Sequence, residues 1–122
     1  MQTHERRLRG MLGFAMRAGR LRIGTEIVCS LLSSEKNRPR LVLYSHTASA
    51  QTKKKITNKG QYYGTETLEI QIDTEELGKL LGKEYTPAVL AVMDDGFANE
   101  IRQAVHAMKG SFQSETGDSN GI

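Results

Sequence analysis

From Leu8 onward, apolar residues recur at Leu8, Met11, Leu12, Ala15 and Met16, the i, i+3, i+4, i+7, i+8 stripe of an amphipathic helix. Thr3 is placed to cap its start and Gly19 to end it. Arg20 to Ile23 reads as a short extended piece. Gly24-Thr25 opens a second helix with the stripe Ile27, Val28, Leu31 and Leu32, broken at Asn37, Arg38 and Pro39. The continuous run Leu41-Val42-Leu43-Tyr44 predicts a strand covered on both faces, with Ser45 to Ser49 as its exit loop. Gln51 to Tyr63 is polar and lysine-bearing around Ile56, a surface helix that stops near Gly60 or Gly64. Leu68 to Ile72 alternates strictly, as a half-buried or edge strand does. Asp73 followed by Glu76 marks a helix start, with Leu77, Leu80 and Leu81 as its apolar face and Gly82 as its stop. Ala88 to Met93 is a second continuous buried strand. Asp94 or Asp95 caps a last helix through Phe97, Ile101, Ala104, Val105 and Met108.

Alternating helices and strands predict an α/β layered fold with a mostly parallel or mixed sheet between helices. Residues 1–109 form its single domain. Residues 110–122 are mostly Gly, Ser, Gln, Asp and Asn with little to bury, and a disordered tail is expected. A chain of 122 residues buries about two-thirds of its unfolded surface, so neither disulfides nor a structural metal is needed. Cys29 stands alone and cannot pair within the chain, which suits a reducing cytosolic compartment. No apolar run reaches the roughly 18 residues of a membrane span. Met11 to Met16 is closed by Arg17 without a cleavage-type region, so a soluble cytoplasmic protein is expected.

Charge changes the picture more than composition does. The net charge is only +3, but residues 1–60 hold thirteen Lys and Arg against three acids, a balance of +10, and residues 61–122 hold four against eleven, a balance of −7. Such asymmetry points to a polyanion partner on one side, provided the two halves do not mix in space.

Signals for catalysis fail on inspection. Gly78-Lys79-Leu80-Leu81-Gly82-Lys83-Glu84 is one residue short of a phosphate loop and has Glu where the magnesium-binding Ser or Thr belongs. No dinucleotide fingerprint, nucleophile elbow or zinc-protease motif occurs. His4, His46 and His106 lack metal-ligand spacing with one another or with Cys29. His46 stands where a buried strand ends, a position that catalytic groups often occupy, but no nucleophile or carboxylate is its evident partner. Cys29 reads as a packing residue, and Asp94-Asp95 as helix caps. No enzyme activity, metal or cofactor is expected.

The basic first half remains. Arginine and lysine neutralise phosphates, and arginine also forks onto bases and stacks on them. The bland alternative is a solvated helix face, clearest for Lys53-Lys54-Lys55, where consecutive helical residues point three ways.

Several stretches, in this order, resemble the kink-turn-binding ribosomal protein family of archaea and eukaryotes: Gly24-Thr25-Glu26, the strand Leu41 to Tyr44, the segment Glu76 to Glu84, and Ala88 to Met93. Leu12-Gly13-Phe14-Ala15-Met16-Arg17-Ala18-Gly19-Arg20, Thr52-Lys53-Lys54-Lys55 and Asp95-Gly96-Phe97-Ala98-Asn99 are closer still to its bacterial YlxQ-type members. The resemblance covers roughly residues 8 to 105 and implies a three-layer α/β/α sandwich around a small mixed sheet. It also implies RNA bound at one end of that sheet, between the loop entering the second helix and the loop before the last strand. There, Asn, Glu and Lys side chains meet guanine edges exposed by sheared G·A pairs at a sharp bend, and the second loop covers splayed bases.

Aligned on Gly24, however, the family Asn falls on Glu26, its Glu on Ile27 and its Lys on Ser30. A shift of one residue lets Glu26 take the guanine-accepting role. As a first-turn acid it equally complements the helix dipole. Ser30 supplies no positive charge, and Arg20 and Arg22 are the nearest substitutes upstream. The second loop, Lys83-Glu84-Tyr85-Thr86-Pro87, keeps the family Glu and adds Tyr85 as a stacking surface or a packed ring. The expectation is a monomeric RNA-binding protein of ribosomal or other structured RNA. It contacts RNA through Arg20, Arg22, Gly24, Thr25, Glu26, Ile27, Ser30 and Lys83 to Pro87. The alternative is a protein-interaction module that has lost kink-turn recognition.

Overall fold

A computed structural model describes the backbone of residues 2–120 and the side chains of residues 4–109. Five helices and four strands follow in the order α1 Gln2–Arg17, β1 Leu21–Ile23, α2 Thr25–Leu32, β2 Leu41–Ser45, α3 Ala50–Tyr63, β3 Thr67–Ile70, α4 Thr74–Leu80, β4 Val89–Val92 and α5 Asp95–Asn120. The expected disordered tail, residues 110–122, lies outside the fully described residues.

Helix ends follow local chemistry. α1 closes with Gly19 at φ 73°, where the amide of Arg20 donates to the Ala15 carbonyl (2.9 Å) and that of Gly19 to Met16 (3.0 Å), a Schellman closure. Ser49 Oγ accepts from the Thr52 amide (3.1 Å), Asp73 Oδ1 from Glu76 (2.8 Å) and Asp94 Oδ2 from Phe97 (2.9 Å), capping α3, α4 and α5. Asp94, rather than Asp95, is therefore the last cap. Several boundaries differ from the sequence reading: Ser45 belongs to β2 rather than to its exit loop, β3 ends at Ile70 rather than Ile72, and two helix ends move. α1 begins at Gln2, so Thr3 lies in its first turn. α2 ends at Leu32, well before Pro39, where Ser33 Oγ turns back onto the Ser30 carbonyl (3.0 Å).

The strands form one mixed sheet in the order β1-β4-β2-β3. β4 runs antiparallel to both β1 and β2, with Leu21 opposite Val92 and Tyr44 opposite Val89, while β2 and β3 are parallel, with Leu43 opposite Leu68. The two continuous apolar runs are thus the two central strands, as burial on both faces demands, and the alternating run is an edge.

Helices cover the sheet on both sides. Leu8, Leu12, Ala15, Leu77, Leu81, Ile101, Ala104 and Val105 from α1, α4 with its C-cap residue Leu81, and α5 pack with Leu21, Leu41, Leu43, Leu68, Ile70, Leu90 and Val92 of the sheet. Val28, Cys29, Leu32 and Ile56 from α2 and α3 pack with Val42, Val89 and Ala91 on the other face. This is a three-layer α/β/α sandwich. Cys29 is a buried member of the second core. The buried face of α2 is rotated from the expected stripe: Val28, Cys29 and Leu32 go inward and Ile27 is 52% exposed. The two halves of the charge distribution mix, since Arg7 pairs with Glu100, Arg9 with Glu76, Arg40 with Asp95 and Lys53 with Glu69. Among the described residues, no helix is long and apolar enough to cross a membrane.

Candidate nucleic-acid interface

Gly24 is the joint of the site. At φ 119° and ψ 140° it holds a conformation that L side chains rarely adopt, and this lets the chain turn directly from β1 into α2. Its amide donates to the Val89 carbonyl (2.9 Å), while the Ser45 amide donates to Ala88 (2.9 Å). Val89 and Ala88 follow Lys83 to Pro87 in the chain. One end of the sheet therefore gathers the start of α2, the exit of β2 leading to α3, and the loop before β4. The two loops singled out from the sequence are brought together.

The loop before β4 is held from beneath by α4. Gly82 closes α4, and the Lys83 amide donates to the Gly78 carbonyl (2.8 Å). A Cβ on Gly78 would stand 2.6 Å from the Tyr85 carbonyl oxygen and 3.3 Å from Pro87 Cδ, so the loop rests directly on the helix backbone. Pro87 is buried and Glu84, Tyr85 and Thr86 are exposed. Glu75, Gly78, Lys79, Lys83, Glu84 and Tyr85 line an open groove there. Tyr85 is 54% exposed, and Ile27, in the first turn of α2, is 52% exposed. Of the two readings of Tyr85, the packed ring is not what is observed.

Charge here comes from a direction the linear sequence does not show. Lys55, on α3, places Nζ 3.6 Å from Glu26 Oε2, with the Glu26 side chain 89% exposed. A cation thus stands beside the first turn of α2 although Ser30, one turn further along and exposed, carries none. Gly24 has no side chain to cap α2, unlike the caps of α3, α4 and α5. Lys53 on the same helix turns instead to Glu69 (2.9 Å). The phenol of Tyr44 is pushed above its ordinary range by burial, then by the carboxylate of Glu69, with Lys53 opposing.

Arg20 and Arg22 are not part of this cluster. The Arg20 carbonyl accepts from Met93 at the far end of β4 (2.8 Å). Arg22 Nη1 turns back onto the carbonyls of Gly19 (3.0 Å) and Leu21 (2.9 Å). From Val89 to Met93 the strand rises roughly 13 Å, so Arg20 stands at the opposite sheet end from Gly24, while Arg22, opposite Ala91 in mid-strand, turns its guanidinium back toward that far end. His46 is exposed beside the cluster. Among the described residues, no group of three His, Cys, Asp or Glu could hold a metal ion.

Residues 6–102 match the model of the ribosomal protein L7Ae/L30e/S12e/Gadd45 family. The RNA-binding protein YlxQ of Bacillus subtilis (strain 168) is 36% identical over 91 residues, covering 75% of this chain and 87% of that protein. The RNA-binding protein YlxQ of Enterococcus faecium is 32% identical over 95 residues, covering 78% and 87%. A structure of a protein of unknown function from Bacillus halodurans superposes with a TM-score of 0.73 at 28% identity, over 81% of this chain and 96% of that one. A 15.5 kD RNA binding protein of Giardia lamblia shares the fold, with a TM-score of 0.70 at 12% identity, over 88% and 89%. With the family match spanning both loops of the cluster and both central strands, the chain belongs to the ribosomal protein L7Ae/L30e/S12e/Gadd45 family, as a bacterial YlxQ-type member.

Proposed function

We propose that this protein is a cytoplasmic, monomeric RNA-binding protein that grips a sharply bent, structured RNA of the kink-turn kind, in ribosomal RNA or a similar ribonucleoprotein, and carries out no catalysis. The observation that carries this reading is the convergence of the α2 start and the Lys83–Pro87 loop on one sheet end, held by the bond from the Gly24 amide to the Val89 carbonyl. Membership of the family and the two YlxQ relatives support RNA as the ligand class.

The chemistry available suits that ligand. Glu26 accepts hydrogen bonds from the N–H groups of a guanine edge. Thr25 and Ser30 offer hydroxyls. Lys55 stands close enough to Glu26 to neutralise a phosphate brought against it, replacing the charge-assisted contact of about 1.5–3 kcal/mol that Ser30 cannot make. Ile27 and Tyr85 cover unstacked bases, with Lys83 and Glu84 at their margin and Pro87 fixing the loop.

A gel-shift comparison of a kink-turn RNA, a straight duplex and a single strand tests the proposal. Preferential binding of the kink-turn is the expected result. Equal, weak binding to all three that salt erases would instead make the chain a protein-interaction module on the same fold.

A further inference from the structure

The arginines that stand away from the loop site gather at one place. The end of α1, the start of β1 and the start of β2 meet where β4 finishes, because Arg20 and Arg40 bond through their backbones to Met93 and Val92 (2.8 and 2.9 Å). Arg17, Arg20 and Arg40 are exposed there, and Arg22, exposed in mid-strand opposite Ala91, turns its guanidinium to the same end. The acids that follow β4 and the one beside the start of β2 are committed: Asp95 to Arg40 (3.4 Å), Asp94 to the cap of α5, and Glu66 to Arg102 (2.6 Å). Among the described residues no carboxylate lies within salt-bridge reach of Arg17, Arg20 or Arg22.

Arg22 is also held in place. Both bonds from Nη1 go to main-chain carbonyls of the turn that closes α1, leaving Nε and Nη2 as donors in a fixed orientation, the fork that matches a phosphate. Arg17 lies over the ring of Phe14 (5.1 Å), and Phe14 is 56% exposed, so an aromatic face and a guanidinium plane stand together in solvent.

We propose that this sheet end is a second RNA-contact surface, which takes the phosphates and an unstacked base of a single strand flanking the structured element. It rests on the reading that the loop end binds RNA. A peptide partner would need acids to match the arginines. A single strand supplies both their phosphate partners and a base for Phe14, and stacking platforms beside cationic grooves are how single strands are held.

The test compares a minimal kink-turn RNA with the same RNA extended by an oligouridine strand of about 12 nucleotides, within the site sizes single-strand binders use, on the full chain. The expected result is tighter binding of the extended RNA by the wild type. The variant Arg20→Gln with Arg22→Gln should lose only that gain, and its salt slope should fall by about 1.4, two single-strand phosphate contacts at about 0.7 each. Phe14→Ala should reduce the gain with the slope unchanged. Tyr85→Ala should instead weaken both RNAs equally. Unchanged affinity and slope for the extended RNA in Arg20→Gln with Arg22→Gln would overturn the proposal and leave this end to a protein partner. If the minimal RNA fails to bind the wild type, the loop reading is what fails, and oligouridine alone, bound with a slope that the arginine variant loses, still decides the second surface.

Discussion

Gly78→Ala puts the most direct strain on the arrangement described above, because the added methyl has nowhere to go. It would sit 2.6 Å from the Tyr85 carbonyl oxygen, an approach that only backbone movement relieves, and 3.3 Å from Pro87 Cδ. Overpacking of this kind costs about 1–3 kcal/mol. The same substitution gains about 1 kcal/mol of helix propensity, so the comparison is with Gly10→Ala, in the exposed side of α1 with nothing within 4 Å of the new Cβ. The propensity gain is common to both, and their difference isolates the clash. At about 4 °C per kcal/mol for a domain of this size, Gly78→Ala should melt about 4–12 °C below Gly10→Ala in calorimetry. Its amide spectrum should change at Lys83 to Ala88 and its affinity for kink-turn RNA should fall, because the loop has been lifted from α4. Equal melting temperatures with the loop resonances unmoved would refute the claim that α4 sets the height of the loop.

Other outcomes follow from single contacts. Ser45 is fully buried, donating to the Ile72 carbonyl (2.7 Å) and accepting from the Thr47 amide (3.1 Å), so Ser45→Ala should cost about 1–3 kcal/mol in urea unfolding. Tyr85→Ala should leave stability within about 0.5 kcal/mol while weakening RNA by about 5- to 150-fold, the loss of one stacked base at about 1–3 kcal/mol. Lys55→Gln should weaken RNA and flatten the salt dependence without changing the melting temperature, since its exposed pair with Glu26 contributes under about 1 kcal/mol. Tyr44 has a raised pKa in the fold, so the unfolded chain releases this proton first. Its contribution is complete below about pH 10 and is lost as pH rises beyond it, and Tyr44→Phe should show a shallower fall in alkaline stability.

The fold was legible where a pattern leaves one solution. Leu41–Tyr44 and Ala88–Met93 are apolar without alternation, and only the centre of a sheet between two helix layers buries both faces of such a strand. Asp73 with Glu76 and Gly19 after Met16 marked helix ends by local chemistry that tertiary contacts do not alter. Ile27 was misread for a physical reason: it fits the helical period, but α2 is short, and rotating it inward by way of Val28, Cys29 and Leu32 fills the core while leaving Ile27 over the site. The two loops of the candidate site were singled out only through the resemblance to the family, and Gly24 joins them through a bond to Val89 that no linear pattern reports. Lys55 beside Glu26 depends on how α3 packs against α2. In the sequence it is only the last of three lysines, although the stretch containing it was among those resembling the family. Arg22 leads toward the site in the sequence, but its guanidinium turns back onto the Gly19 carbonyl, a direction set by the turn that closes α1.

Titration of kink-turn RNA into 15N-labelled protein, followed residue by residue, tests the central claim most directly. The expected shifts lie at Gly24 to Ile27, Ser30, Lys55 and Lys83 to Thr86, saturating together. Shifts confined to other surfaces, or none at RNA concentrations where the chain is bound, would contradict the assignment of this sheet end as the RNA site.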